Sequence, residues 1–194
     1  MYPKPFKKLI DHFSSLPSVG PKMAERLVLY LFKQDTVKLA DFAKSLVELK
    51  TNLQYCKKCF NISEGELCEI CAEKTRNQNA ICVVEEPLDI IALERTKKYD
   101  GLYHVLGGVL SSVSDLQSNL KLKELERRVT EEKITEVIIA MNPTTEGDAT
   151  ALYIIRMLKP LDITVTRLAR GLATGSDIEY ADELTLGSAI LNRK

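Results

Sequence analysis

Four cysteines in two pairs, Cys56-Lys57-Lys58-Cys59 and Cys68-Glu69-Ile70-Cys71, carry the plainest chemistry in this chain. Eight residues separate the pairs, a spacing that lets four thiolates surround one tetrahedral ion. Four soft sulfur ligands leave no open coordination position, so zinc(II) is the expected occupant and its role structural. The competing readings are two local disulfides or four unconnected buried thiols. No apolar run approaches the ~18 residues of a membrane span, and the N-terminus lacks a signal-peptide core. A reducing cytoplasm is therefore the expected compartment, which weighs against disulfides. The fifth cysteine, Cys82, lies in Ala80-Ile81-Cys82-Val83-Val84 and reads as a small buried strand residue.

A second constellation is the turn Ser18-Val19-Gly20-Pro21-Lys22 leading to Arg26. A glycine turn entering a helix leaves backbone amides free, and with the helix dipole they favour a phosphate. Lys22 and Arg26, four apart, share a face near that end. This is the pattern of a helix-hairpin-helix that grips a nucleic-acid backbone without reading bases. The plainer reading is a helical turn with two solvated cations. Global charge does not decide, since Lys plus Arg and Asp plus Glu are 27 each, but residues 1–33 hold six basic residues against two acids.

A third constellation joins Glu85 to the later segment Asn142-Pro143-Thr144-Thr145-Glu146-Gly147. Acids at the ends of neighbouring strands hold magnesium for phosphoryl transfer. Here Asn142 and Thr144 are neutral and Glu85 stands alone, so the pattern argues against catalysis. Residues 171–176 lack the lysine of a P-loop. The two histidines, His12 and His104, lie in no nucleophile motif, and His104 reads as a packed strand residue.

The elements that must position these residues follow from periodicity. The first 50 residues read as helical, with stripes at Leu9, Ile10 and Phe13, at Met23, Leu27 and Leu31, and at Val37, Ala40, Phe42, Ala43, Leu46 and Val47. After the cysteines and a polar connector over 73–79, strands at 81–84, 103–106, 137–141 and 163–168 alternate with helices around 90–93, 120–129 and 149–158. That alternation predicts an α/β fold with a largely parallel sheet covered on both faces. The 45% hydrophobic and 28% charged content fits a globular chain of one to three domains. Ligand chemistry is expected at the carboxyl ends of the strands.

In order along the chain stand Leu-Pro-x-x-Gly-Pro-Lys, the paired cysteines with Cys-Phe-Asn-Ile-Ser-Glu-Gly-Glu-Leu-Cys, Ile-Cys-Val-Val-Glu-Glu-Pro, Tyr-His-Val-Leu-Gly-Gly, Asn-Pro-Thr-Thr-Glu-Gly-Asp-Ala-Thr-Ala and Thr-Arg-Leu-Ala-Arg-Gly. Together, over roughly residues 6–190, they resemble the RecR family of bacterial recombination proteins. The resemblance implies an α/β multidomain chain: a helical helix-hairpin-helix domain at 1–54, a four-cysteine zinc finger at 55–76, a Toprim domain with a parallel sheet at 77–165 and a C-terminal segment at 166–194. It implies Cys56, Cys59, Cys68 and Cys71 as zinc ligands, Gly20, Lys22 and Arg26 at the DNA, and Glu146 near the surface that meets RecO. It further implies no enzymatic activity, a cytoplasmic, nucleoid-associated protein, and a homodimer or ring-like homotetramer. Such a protein acts on single-stranded, double-stranded or gapped DNA with RecO, and often RecF, to load RecA onto single strands.

Two alternatives stand beside it: a magnesium-dependent Toprim enzyme built on Glu85, and a zinc-ribbon adaptor without DNA affinity. The chain departs from the family in two places. Ser18 replaces a glycine of the hairpin, and Leu172-Ala173-Thr174-Gly175-Ser176 replaces Leu-Pro-x-Gly-Gly.

Overall fold

A computed structural model describes residues 2–110 and 120–193, which divide into two compact units, Met1–Leu53 and Gln54–Lys194. The first unit is three helices: α1 (Lys4–Ser14), α2 (Pro21–Phe32) and α3 (Thr36–Thr51). Proline at the first position of α2 suits a helix start because its missing N–H has no intrahelical role there. Asp35 caps α3 by accepting from the Lys38 amide at 2.8 Å.

Ile10, Ala24 and Val28 form the small core between α1 and α2, with Phe6, Leu9, Phe13 and Val19 against it. The expected α2 stripe is therefore displaced by one residue: Ala24 and Val28 are buried, Leu27 and Leu31 are half-buried, and Met23 is 48% exposed. A small residue at 24 lets the two helices approach, which a methionine in that position does not allow. The α3 stripe forms as a helical face, yet none of its residues is buried.

The second unit opens with a two-stranded antiparallel hairpin, β1 (Gln54–Tyr55) and β2 (Ile62–Ser63), and the short helix α4 (Glu69–Ala72). The elements β3 (Asn77–Val84), α5 (Pro87–Arg95), β4 (Gly101–Val105), α6 (Leu122–Glu131), β5 (Glu136–Ala140), α7 (Thr145–Leu158) and β6 (Thr164–Arg167) follow, and α8 (Glu183–Leu191) closes the unit. The four longer strands make a parallel sheet of order β4-β3-β5-β6. Strand β3 begins earlier than its apolar run because the Asn77 amide donates to Asp100 O at 2.9 Å. Helix α7 likewise begins at Thr145 rather than 149, since the Thr144 hydroxyl caps it through the Gly147 amide at 3.0 Å.

Alternation along β3 splits the core. Ile81 and Val83 face α6 and α7 through Leu125, Val129, Ile154 and Leu158. Cys82 and Val84 face α5 through Ile90, and Phe60 and Ile70 of the cysteine segment pack on this second side. Both faces are thus covered, as a parallel sheet requires. Cys82 is buried and free, and burial pushes its thiol up to about 12.

Candidate functional site

The four cysteines converge. Their sulfurs all lie within 4.8 Å of one another, and Cys59 Sγ and Cys68 Sγ are 3.5 Å apart. A tetrahedral zinc–thiolate centre with bonds of ~2.3 Å sets its sulfurs about 3.8 Å apart, so the spacing fits the ion. The chemistry of the donors fits as well. The hydrogen bond between Cys59 and Cys68 pushes the Cys59 thiol up and holds the Cys68 thiol down, and thiolate is the form in which sulfur binds a dication. Local backbone bonds shape the knuckle: the Cys56 amide donates to Asn61 O at 2.7 Å and Phe60 N to Cys56 O at 3.0 Å. The knuckle's two lysines are engaged, Lys57 with Glu66 and Lys58 with Glu132. Among the described residues this is the one group of three or more potential His, Cys, Asp or Glu ligands close enough to hold an ion.

At the hairpin, Gly20 is the N-cap of α2, with φ −79° and ψ 166°, and no side chain caps it. The first amides of α2 therefore face outward unpaired by the helix itself. Lys22 and Arg26 lie on the same helix, Lys22 exposed near its start and Arg26 one turn on. Open space surrounds the position a Gly20 Cβ would take. Ser18 carries a left-handed φ of 63°, a conformation that glycine adopts without strain.

At the carboxyl ends of the central strands, Glu85 meets Asn142. The Asn142 amide N donates to Glu85 Oε1 at 2.6 Å, and its side-chain Nδ2 donates to Oε2 at 2.8 Å. Both carboxylate oxygens are thus spent on a neutral neighbour. The turn into α7 is tight: a Cβ on Gly147 would overlap Asn142 O. Glu146, in the first turn of α7, is exposed.

The sequence reading passes over one further grouping here. Asp148 binds Arg167 at the end of β6 and Arg170 beyond it, and these two guanidinium groups hold its carboxyl down to about 2, Arg170 contributing most. Asp148 and Arg170 line a cavity of about 750 Å³ between the start of α7, residues 168–171 and α8, together with Thr144 and Leu184. A local sequence pattern gives no sign of such a pairing, because the partners stand on separate elements.

Four family models match the chain in sequence: the RecR helix-hairpin-helix over residues 6–50, the RecR four-cysteine zinc finger domain over 53–72, the Toprim domain over 79–169 and the RecR C-terminal segment over 171–194. The Recombination protein RecR of Staphylococcus saprophyticus is 47% identical over 193 residues, 99% of this chain and 98% of that protein. The chain belongs to the RecR family. Recombination protein RecR of Herpetosiphon aurantiacus is 49% identical over 193 residues, covering 99% of this chain and 95% of that protein. That of Chloroflexus aurantiacus is 49% identical over 191 residues, covering 98% and 94%. The α/β multidomain architecture expected from the RecR resemblance stands: N-terminal helices, a four-cysteine cluster and a parallel Toprim sheet.

Proposed function

We propose that this chain is a non-enzymatic mediator of DNA recombination and repair. In this reading the hairpin of α2 grips the phosphate backbone through its free amides, Gly20, Lys22 and Arg26. Cys56, Cys59, Cys68 and Cys71 bind one zinc ion that shapes the knuckle, and the Toprim sheet serves as a docking platform, with Glu146 on the surface offered to RecO. The chain assembles as a homodimer or homotetramer. With RecO, and RecF where it takes part, it promotes RecA loading on single-stranded DNA at gaps, in the cytoplasm at the nucleoid.

One observation carries the DNA reading: an uncapped helix start with Lys22 and Arg26 on the same helix, in a segment that matches the RecR helix-hairpin-helix. Support for the absence of catalysis comes from Glu85, whose oxygens both accept from Asn142 where a Toprim enzyme needs acids for magnesium.

Titration of gapped DNA against salt tests the reading. Log affinity should fall by about 0.9 per duplex phosphate neutralised for each decade of salt. Lys22→Ala combined with Arg26→Ala should weaken binding to every sequence alike and flatten that slope. An unchanged slope removes the hairpin from the DNA site, and no shift on any DNA supports an adaptor without DNA affinity. Magnesium-dependent nicking that Glu85→Gln abolishes would establish the Toprim enzyme instead.

A further inference from the structure

Among the described residues β4 is an outermost strand of the sheet, and an edge strand ordinarily presents unpaired amides and carbonyls. In a parallel strand alternate residues direct both backbone groups to the same side. Even-numbered positions of this strand face β3, as the bond from Leu106 N to Val84 O shows. The odd-numbered positions face outward, and each finds a partner. Arg76 Nη1 donates to Gly101 O at 3.0 Å, Arg128 Nη1 donates to Tyr103 O at 2.8 Å, and Val105 N donates to Cys59 O at 2.8 Å.

The cysteine knuckle reaches two of these three points. Cys59, one of the four clustered thiols, supplies its own carbonyl to Val105. Its neighbour Lys58 lies 3.0 Å from Glu132 Oε2, and Glu132 Oε1 accepts from Arg128 Nε at 3.2 Å. Arg128 is buried, so its bond to Tyr103 O is shielded from water. Phe60 completes the contact: it holds a left-handed φ of 63° and packs edge-on against His104 at 5.4 Å between ring centroids.

We infer that the knuckle is a metal-dependent clasp on the β4 edge: with zinc among the four sulfurs, the Cys59 carbonyl stays on the Val105 amide and Lys58 on Glu132. The inference rests on the zinc reading above and adds where in the sheet the metal is felt. A left-handed phenylalanine is costly, and it persists only while its surroundings hold it. Loss of the ion frees the 56–60 turn to relax, so the Val105 amide loses the Cys59 carbonyl and the Arg128 bond to Tyr103 O loses its Lys58–Glu132 support, while Arg76 still holds Gly101 O. The edge then opens while β5 and β6, whose ladders pair with β3 and with each other and not with the knuckle, stay closed together with α7.

Hydrogen exchange read by mass spectrometry tests this on the full chain, as purified and after chelation, with zinc content measured in parallel. One zinc per chain is expected, and its removal should speed exchange over residues 101–106 and 122–132 by about ten-fold or more, with far smaller change over β5, β6 and α7. A chain that carries no zinc as purified ends the zinc reading itself. A zinc-bearing chain whose 101–106 exchange is indifferent to chelation overturns the clasp alone, and so does uniform acceleration through β5 and β6. Lys58→Met keeps all four thiols and bound zinc, and should speed exchange at Tyr103–Leu106 without metal loss; exchange there equal to wild type also overturns the clasp.

Discussion

Ser18 and Gly20 stand two residues apart in the hairpin and use their backbones differently. Ser18 holds φ at +63°, which costs an L-residue about 1–2 kcal/mol. Ser18→Gly removes that strain but gives the unfolded chain more freedom, so a net gain in unfolding free energy of up to about 1 kcal/mol is expected from urea titration. Gly20 has an ordinary φ and open space at its Cβ position. Gly20→Ala should therefore leave stability within ~0.5 kcal/mol, and any loss of DNA affinity in that variant reports backbone approach to phosphate rather than misfolding. His104 carries a different signal. Burial, and then the charge of Arg128, push it down to about 3, while its Nε2 bonds to Lys121 O at 2.8 Å. The unfolded chain binds a proton near pH 6.5 and the folded one resists it, so His104 contributes full stability above pH 6.5 and loses it as pH falls toward 3. The expected loss is about 1 kcal/mol between roughly pH 7.5 and 5.5. His104→Gln keeps a donor and an acceptor and should flatten that part of the profile; identical profiles in both proteins would place the acid sensitivity elsewhere.

Elements join these residues, and the β5–α7 turn shows how closely. Asn142 caps Glu85 only because the chain turns sharply at Pro143-Thr144, and that turn needs Gly147, whose added methyl group would overlap Asn142 O. Gly147→Ala should cost about 2 kcal/mol or more by forcing backbone movement, seen as a lower urea midpoint. Glu85→Gln should cost less, about 1–2 kcal/mol, since one of two hydrogen bonds to Asn142 is lost or reversed. The sequence makes some of this legible. Cysteine spacing implies convergence because the four ligands are local, and strand runs such as Ile81–Val84 are read directly because burial on both faces makes them continuously apolar. Other features depend on partners far along the chain. Which stripe of α2 is buried follows from the reach of α1, so Ala24 replaces Met23. Arg128 reads as one more charge on an amphipathic helix, and only the fold sets it beside Tyr103 O, 25 residues away.

For the molecule as a whole, the apolar surface left uncovered bears on assembly. Helix α3 has no buried residue, yet Leu39, Phe42, Leu46 and Leu49 recur along one stripe and Val37 is 79% exposed. Isolated exposed leucines are ordinary, but a continuous helical stripe of them marks an interface. A second copy of this chain is the occupant consistent with the homo-oligomer proposed above, because two such stripes are self-complementary about a two-fold axis. Light scattering at micromolar concentration should therefore give a mass of at least two chains. The double substitution Phe42→Glu and Leu46→Glu places like charges at the centre of that contact while changing only exposed positions. It should lower the measured mass with circular dichroism, zinc content and the salt dependence of hairpin binding unchanged per chain. A wild-type mass of one chain removes the oligomer. A variant that retains the wild-type mass overturns the α3 contact, and the same charge substitution at Leu184 and Leu191 of α8, where Ile190 also lies open, then tests that helix.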